Sequence, residues 1–114
     1  MVSEALRALL RQAPGAGELS GPDVRVGRAT HPVCGDEVEL FVRVQQDTVV
    51  DFAWRARGCP ACVAVAAATK QAVVGATLDA ASGNLARVVQ SLGGLAATER
   101  HALKLIDDAL RSAR

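Results

Sequence analysis

The sequence predicts an α+β fold, a small three-stranded antiparallel sheet with helices packed on one face. Three observations predict it. Residues 37–44 and 50–57 alternate apolar and polar side chains on either side of a short polar turn, the pattern of a hairpin. Beyond residue 58 the alternation stops, and apolar residues recur three and four apart, as on helices. The 114 residues, half of them apolar, suffice for a single domain, 1–114, with one core.

Taken in order, Ser3 to Gln12 reads as a short amphipathic helix, capped by Ser3 and striped by Ala5, Leu6, Leu9 and Leu10. Pro14, Gly15 and Gly17 stop it, and a loop runs through Ser20-Gly21-Pro22. Val24 to Thr30 is the first strand, with Val24, Val26 and Arg28 on one side. In the second, Val38, Leu40, Val42 and Val44 alternate with Glu37, Glu39, Phe41 and Arg43, so one face is buried and the other wet. After a turn at Gln45-Gln46-Asp47, Val50, Phe52, Trp54 and Ala56 carry the inward face of the third strand.

Pro60 to Val74 is expected to be the most buried helix, because it is apolar nearly all round until Lys70 and Gln71. Pro60 suits a first helical turn, where its missing N–H costs nothing. Gly75 ends it. A further helix starts at Thr77-Leu78-Asp79, with Leu85, Val88, Val89 and Leu92 in register, and breaks at Gly93-Gly94. Thr98 is expected to cap the last helix, whose stripe is Leu103, Ile106 and Leu110, with Ala102, Leu105 and Ala109 beside it.

Composition narrows the function. The formal charge is +1, there is no basic run, and Trp54, Phe41 and Phe52 are the whole aromatic set, which disfavours nucleic-acid binding. The longest apolar run, 60–69, is too short to span a bilayer. Residues 1–5 lack the basic-then-apolar pattern of a secretory signal, so the expected location is the cytoplasm. There, three cysteines read as thiols or metal ligands and not as disulfides.

The chemistry-bearing residues fall in two clusters, His31-Pro32-Val33-Cys34-Gly35-Asp36 and Arg57-Gly58-Cys59-Pro60-Ala61-Cys62. A thiolate is both ligand and nucleophile, and Cys59, at a helix start with Arg55 and Arg57 upstream, is placed to be one. Gly35 allows the sharp bend that lets Cys34 and Asp36 face one ion. Cys59 to Cys62 is a C-x-x-C that could chelate a metal or act as a redox pair, although a thioredoxin-like use of it would want a βαβ context. Cys62 reads equally well as a small buried apolar residue of its helix. Taken alone, His31 and His101 read as surface residues and Asp36 as a turn residue.

At these positions the chain resembles the U-type iron–sulfur cluster assembly scaffolds, the IscU, SufU and NifU N-terminal family. The family's Asn-Pro-x-Cys-Gly-Asp appears as His31-Pro32-Val33-Cys34-Gly35-Asp36. Its acidic-then-aromatic strand leading into Gly-Cys appears as Asp51, Trp54, Gly58 and Cys59. Gly75-Ala76-Thr77-Leu78-Asp79-Ala80-Ala81 and Gly17-Glu18-Leu19-Ser20-Gly21-Pro22-Asp23 match further segments, so the resemblance covers nearly the whole chain. It implies a SufE/NifU-like fold and a protein without catalytic activity of its own. Such a protein binds zinc or a transient [2Fe–2S] cluster, accepts sulfur from a cysteine desulfurase and serves recipient apo-proteins.

Carried over by position, Cys34, Asp36 and Cys59 are three of the family's four ligands. The fourth, a cysteine early in the last helix preceded by histidine, falls on Ala102, with His101 on the histidine. The expected set is therefore Cys34, Asp36, Cys59 and His101, with Cys62 as the other candidate, and Ala102 is expected to face the mouth of the pocket. Leu95-Ala96-Ala97-Thr98-Glu99 replaces the Leu-Pro-Pro-Val-Lys of members served by a dedicated heat-shock-type chaperone, so that partner is not expected. Two other readings stay open: a diverged interaction module with structural zinc or no metal, and a thiol redox protein using Cys59 and Cys62.

Overall fold

The computed structural model describes residues 3–32 and 35–113. Helix α1 (Glu4–Gln12) precedes three strands, β1 (Val24–Thr30), β2 (Glu37–Gln45) and β3 (Thr48–Arg57). Helices α2 (Pro60–Val73), α3 (Leu78–Ser91) and α4 (Arg100–Ser112) follow. The strands pair antiparallel in the order β1-β2-β3. The fold class is the one expected. No described helix is long and apolar enough to cross a membrane.

Short-range chemistry explains most boundaries. The Ser3 hydroxyl accepts from the Leu6 N–H at 3.3 Å and donates to the Leu92 carbonyl at 2.5 Å, so one side chain caps α1 and ties it to the end of α3. The β2–β3 turn holds Gln46 and Asp47 at φ 53° and 64°, the paired positive φ of a type I′ turn that matches strand twist. Thr77 caps α3 by accepting from Ala80 N at 3.2 Å.

Three expectations are corrected. The β2–β3 register shifts after Arg43, which faces Asp51, whereas Val44 faces Val49. The bulge leaves Val50 without a partner, 42% exposed, and puts Val49 in the core in its place. The outer sheet face is not uniformly wet, since Phe41 and Ala53 are buried there. Residues 15–17 run beside β3, where Trp54 N–H and C=O bond Gly15 O and Gly17 N. The chain then crosses the outer face to β1, fixed by Glu18 to Arg55 at 3.1 Å, the Ser20 carbonyl to Arg43 at 3.2 Å and Asp23 to Arg43 at 2.6 Å. Finally, Thr98 does not cap the last helix. It sits in a 3₁₀ turn, Ala97–Glu99, that leads into α4, and Glu99 reaches back to the Ala96 N–H at 3.0 Å.

Helix α2 is the core of the molecule, with ten of its fourteen residues buried. Its alanines let it lie close against both the sheet and the flanking helices. Helix α4 approaches β1 so tightly that a Cβ on Gly27 would overlap the Ala109 carbonyl oxygen. The start of α2, the start of α4 and the β1–β2 loop therefore meet at one end of the sheet.

Candidate metal centre

Asp36 is the last residue before β2. Its carbonyl accepts from His31 N at 2.8 Å, and the His31 carbonyl accepts from Gly35 N at 2.9 Å, which closes the loop. Gly35 turns at φ 74°. The Asp36 side chain points under the start of α2 and is only 5% exposed. The backbone N–H of Cys59, the N-cap residue of α2, donates to Asp36 Oδ1 at 3.3 Å. This approach depends on Gly58, where a Cβ would stand 2.5 Å from the Asp36 Cγ.

Cys62 lies one turn into α2. Its Sγ donates to Asp36 Oδ2 at 3.1 Å and stands 3.4 Å from the half-buried Cys59 Sγ. His101, in the first turn of α4, supplies the fourth donor. Its Nδ1 is 3.1 Å from the Thr98 carbonyl, which can only accept, so Nδ1 carries the proton. The other ring nitrogen, Nε2, faces Cys59 Sγ at 3.5 Å and Asp36 Oδ2 at 3.7 Å, the nitrogen a neutral ring would offer a metal. The ring of His31 packs edge-on against that of His101, centroids 5.2 Å apart.

The four donor atoms lie within 4.8 Å of one another. In a tetrahedral zinc site of mixed sulfur, nitrogen and oxygen ligands, neighbouring donors stand about 3.3–3.8 Å apart. Four of the donor–donor separations, 3.1 to 3.7 Å, are already close to that spacing. Two thiols, an imidazole and a carboxylate are also a donor set that suits zinc and tolerates iron.

The electrostatics agree with the geometry. The hydrogen bond from Cys62 holds the Asp36 carboxyl below its ordinary range against the opposing effect of burial, helped by Cys59 and by His101. Burial, and then the bonds to Asp36 and Cys59, push the Cys62 thiol well above its ordinary range. At neutral pH, without metal, Asp36 is therefore a buried carboxylate bonded by a neutral thiol. A cavity of about 520 Å³ opens beside the cluster, lined by Cys59, Pro60, Ala61, Thr98, Glu99 and His101 among others.

Of the expected ligands, Asp36, Cys59 and His101 come together, and Cys34 lies outside the described residues. Cys62 combines its two readings, since it is 1% exposed and also at the cluster. The expectation for Ala102 is corrected. It is fully buried in the core, because neighbours on a helix project about 100° apart and His101 takes the direction of the site. The sequence reading also missed the Thr98 carbonyl, whose one signal was its position three residues before a histidine at a helix start.

Comparison with known proteins identifies the family and the fold. Residues 11–114 match the family model described as the NifU-like N terminal domain. The iron–sulfur cluster assembly scaffold protein IscU 1 of Archaeoglobus fulgidus is 32% identical over 90 residues, which cover 77% of this chain and 58% of the relative. The bifunctional protein NifU/MnmA of Rubrobacter xylanophilus is 36% identical over 102 residues, covering 86% of this chain and 20% of that protein. The chain thus spans less than two thirds of the length of these relatives. In structure it is similar to the N-terminal NifU-like protein of Brucella abortus, with a TM-score of 0.68, 20% identity and coverage of 96% and 92%. It is also similar to a SufU from Fervidobacterium islandicum described as a putative iron–sulfur cluster assembly scaffold, with a TM-score of 0.77, 17% identity and coverage of 97% and 94%. On the match over residues 11–114, the chain belongs to the NifU-like N-terminal domain family.

Proposed function

We propose that this protein is an iron–sulfur cluster assembly scaffold that holds zinc or a nascent [2Fe–2S] cluster at Asp36, Cys59, Cys62 and His101. The observation that carries the reading is the convergence of these four donors within 4.8 Å, beside an opening. Cys34 joins them as a ligand on the sequence match alone. Cys62 takes over the part of the cysteine that relatives carry at the position of Ala102, so the third thiolate comes from α2 instead of α4. The cluster is cargo here. Thiolates suit it, whereas a carboxylate and an imidazole hold it less firmly, which favours release. Its sulfur comes from a cysteine desulfurase, and recipient apo-proteins take the product. Thiols serving as ligands favour a reducing compartment such as the cytoplasm.

Zinc titration of purified, metal-free protein tests the site. Wild type should bind about one zinc per chain. His101→Ala should weaken binding more than tenfold, ~1.4 kcal/mol. Unchanged affinity in His101→Ala, Cys59→Ser and Cys62→Ser together would show that the ion is held elsewhere.

A further inference from the structure

The two thiols of this site are also arranged as a reactive pair. Cys59 is the N-cap residue of α2 and lines the cavity, open to an incoming reagent. Cys62 is buried behind it, out of reach of that reagent, with its sulfur 3.4 Å from the Cys59 sulfur. A disulfide needs about 2.05 Å, so side-chain rotation must close the gap by about 1.4 Å. Asp36 Oδ2 stands 3.1 Å from the Cys62 Sγ and accepts its hydrogen. A half-buried thiol at the cavity, a buried resolving thiol and a proton acceptor form a unit that exchanges sulfur–sulfur bonds.

We infer that Cys59 and Cys62 discharge sulfane sulfur as sulfide, an activity that deepens the sulfur-accepting half of the proposed function and rests on it. In the first step the Cys59 thiolate attacks the outer sulfur of a donor persulfide, R–S–SH. A Cys59–S–SH persulfide forms, the donor's S–S bond breaks, and R–S⁻ leaves. In the second, Cys62 Sγ attacks Cys59 Sγ. A Cys59–Cys62 disulfide forms, the bond to the outer sulfur breaks, and its electron pair leaves on sulfide. The Cys62 proton passes through Asp36 to the departing sulfide. The two cysteine sulfurs are oxidised, and the sulfane sulfur is reduced by two electrons. Sulfide is thus delivered where iron would be held, with no electron carrier needed for the step. A small thiol such as glutathione then reduces the disulfide and restores the pair.

The consequence is a site that alternates between ligand and reductant. While both thiolates hold a metal, neither can resolve a persulfide, so sulfide release belongs to the metal-free protein and saturating zinc suppresses it.

The test uses reduced, metal-free protein with glutathione persulfide as the donor, reading free sulfide and the mass of the Cys59–Cys62 peptide. Wild type should release about one sulfide per chain and lose two hydrogens at that peptide. Cys62→Ser should stop at a persulfide on Cys59. Persulfide that stays on Cys59 in wild type overturns the inference and leaves sulfur acceptance standing. So does sulfide release that is undiminished in Cys62→Ser. No persulfide on Cys59 in either protein overturns both.

Discussion

Replacing Gly58 by alanine separates the site from its scaffold. Gly58 has φ +147°, outside the region open to side chains, and a Cβ there would stand 2.5 Å from the Asp36 Cγ and 2.8 Å from its Cβ. Holding alanine in such a conformation costs about 1–3 kcal/mol. The carboxylate must also move, which breaks the 3.3 Å bond from Cys59 N and the 3.1 Å bond from Cys62 Sγ. Loss of a hydrogen bond to a charged group costs a further ~1.5–3 kcal/mol. The combined destabilisation, taken as ~3 kcal/mol, corresponds to a fall in Tm of roughly 10–20 °C for a domain of this size. Gly35→Ala is the internal control. It too has a positive φ, 74°, but a Cβ there meets nothing within 4 Å among the described residues, so it should show the backbone cost alone. Thermal unfolding and zinc titration of the two variants decide the matter. Gly58→Ala should lose more stability than Gly35→Ala and also weaken zinc binding. Equal losses, or unimpaired zinc binding in Gly58→Ala, would refute the argument that Gly58 exists to admit Asp36.

Three further outcomes are expected. Asp36→Ala should lengthen the lifetime of a reconstituted cluster in air, followed by its visible absorbance, while lowering the Tm of the metal-free protein, because Cys59 N–H and Cys62 Sγ lose their acceptor. A shorter cluster lifetime would make Asp36 a structural ligand only. Ala102→Cys should leave cluster occupancy unchanged and destabilise the fold by ~1–3 kcal/mol through overpacking, since residue 102 is fully buried and Cys62 already supplies the thiolate. Zinc affinity should rise with pH from ~6 to ~8, because binding must displace protons from the thiols and needs a neutral imidazole. The sign follows from the raised Cys62 value, which keeps that thiol protonated across this window, so that metal binding releases its proton. Competition titrations at the two pH values, and calorimetry in buffers of different ionisation enthalpy, would measure it.

The fold was legible wherever local chemistry dominates. The Ser3 cap, the turn at residues 46–47 and the all-apolar α2 each carry their signal within a few residues. What escaped depends on contacts distant in sequence. Phe41 alternates with the inward residues and so reads as wet, but the strap from residue 18 to residue 23 crosses that face of the sheet. Val50 fits the period of its strand until a bulge resets it. At the site, Asp36 and Cys59 were visible as glycine-flanked residues and His101 as a match by position. The ambiguity of Cys62 had a physical basis, because a helix's third residue can be buried and still turn its sulfur to a neighbouring loop. Only the placement of Asp36 Oδ2 beside it resolves the two readings into one position.

The most direct test of the scaffold account is cluster uptake and hand-off. Metal-free, reduced protein is incubated anaerobically with ferrous iron and sulfide, desalted, and mixed with an apo-protein that takes a [2Fe–2S] cluster on four cysteines. Visible absorbance and circular dichroism follow both steps. The account predicts that wild type acquires the cluster and passes it on, and that Cys59→Ser and Cys62→Ser fail at acquisition. A wild-type protein that binds zinc but acquires no cluster, or a Cys59→Ser variant that assembles and transfers it as wild type does, would contradict the account.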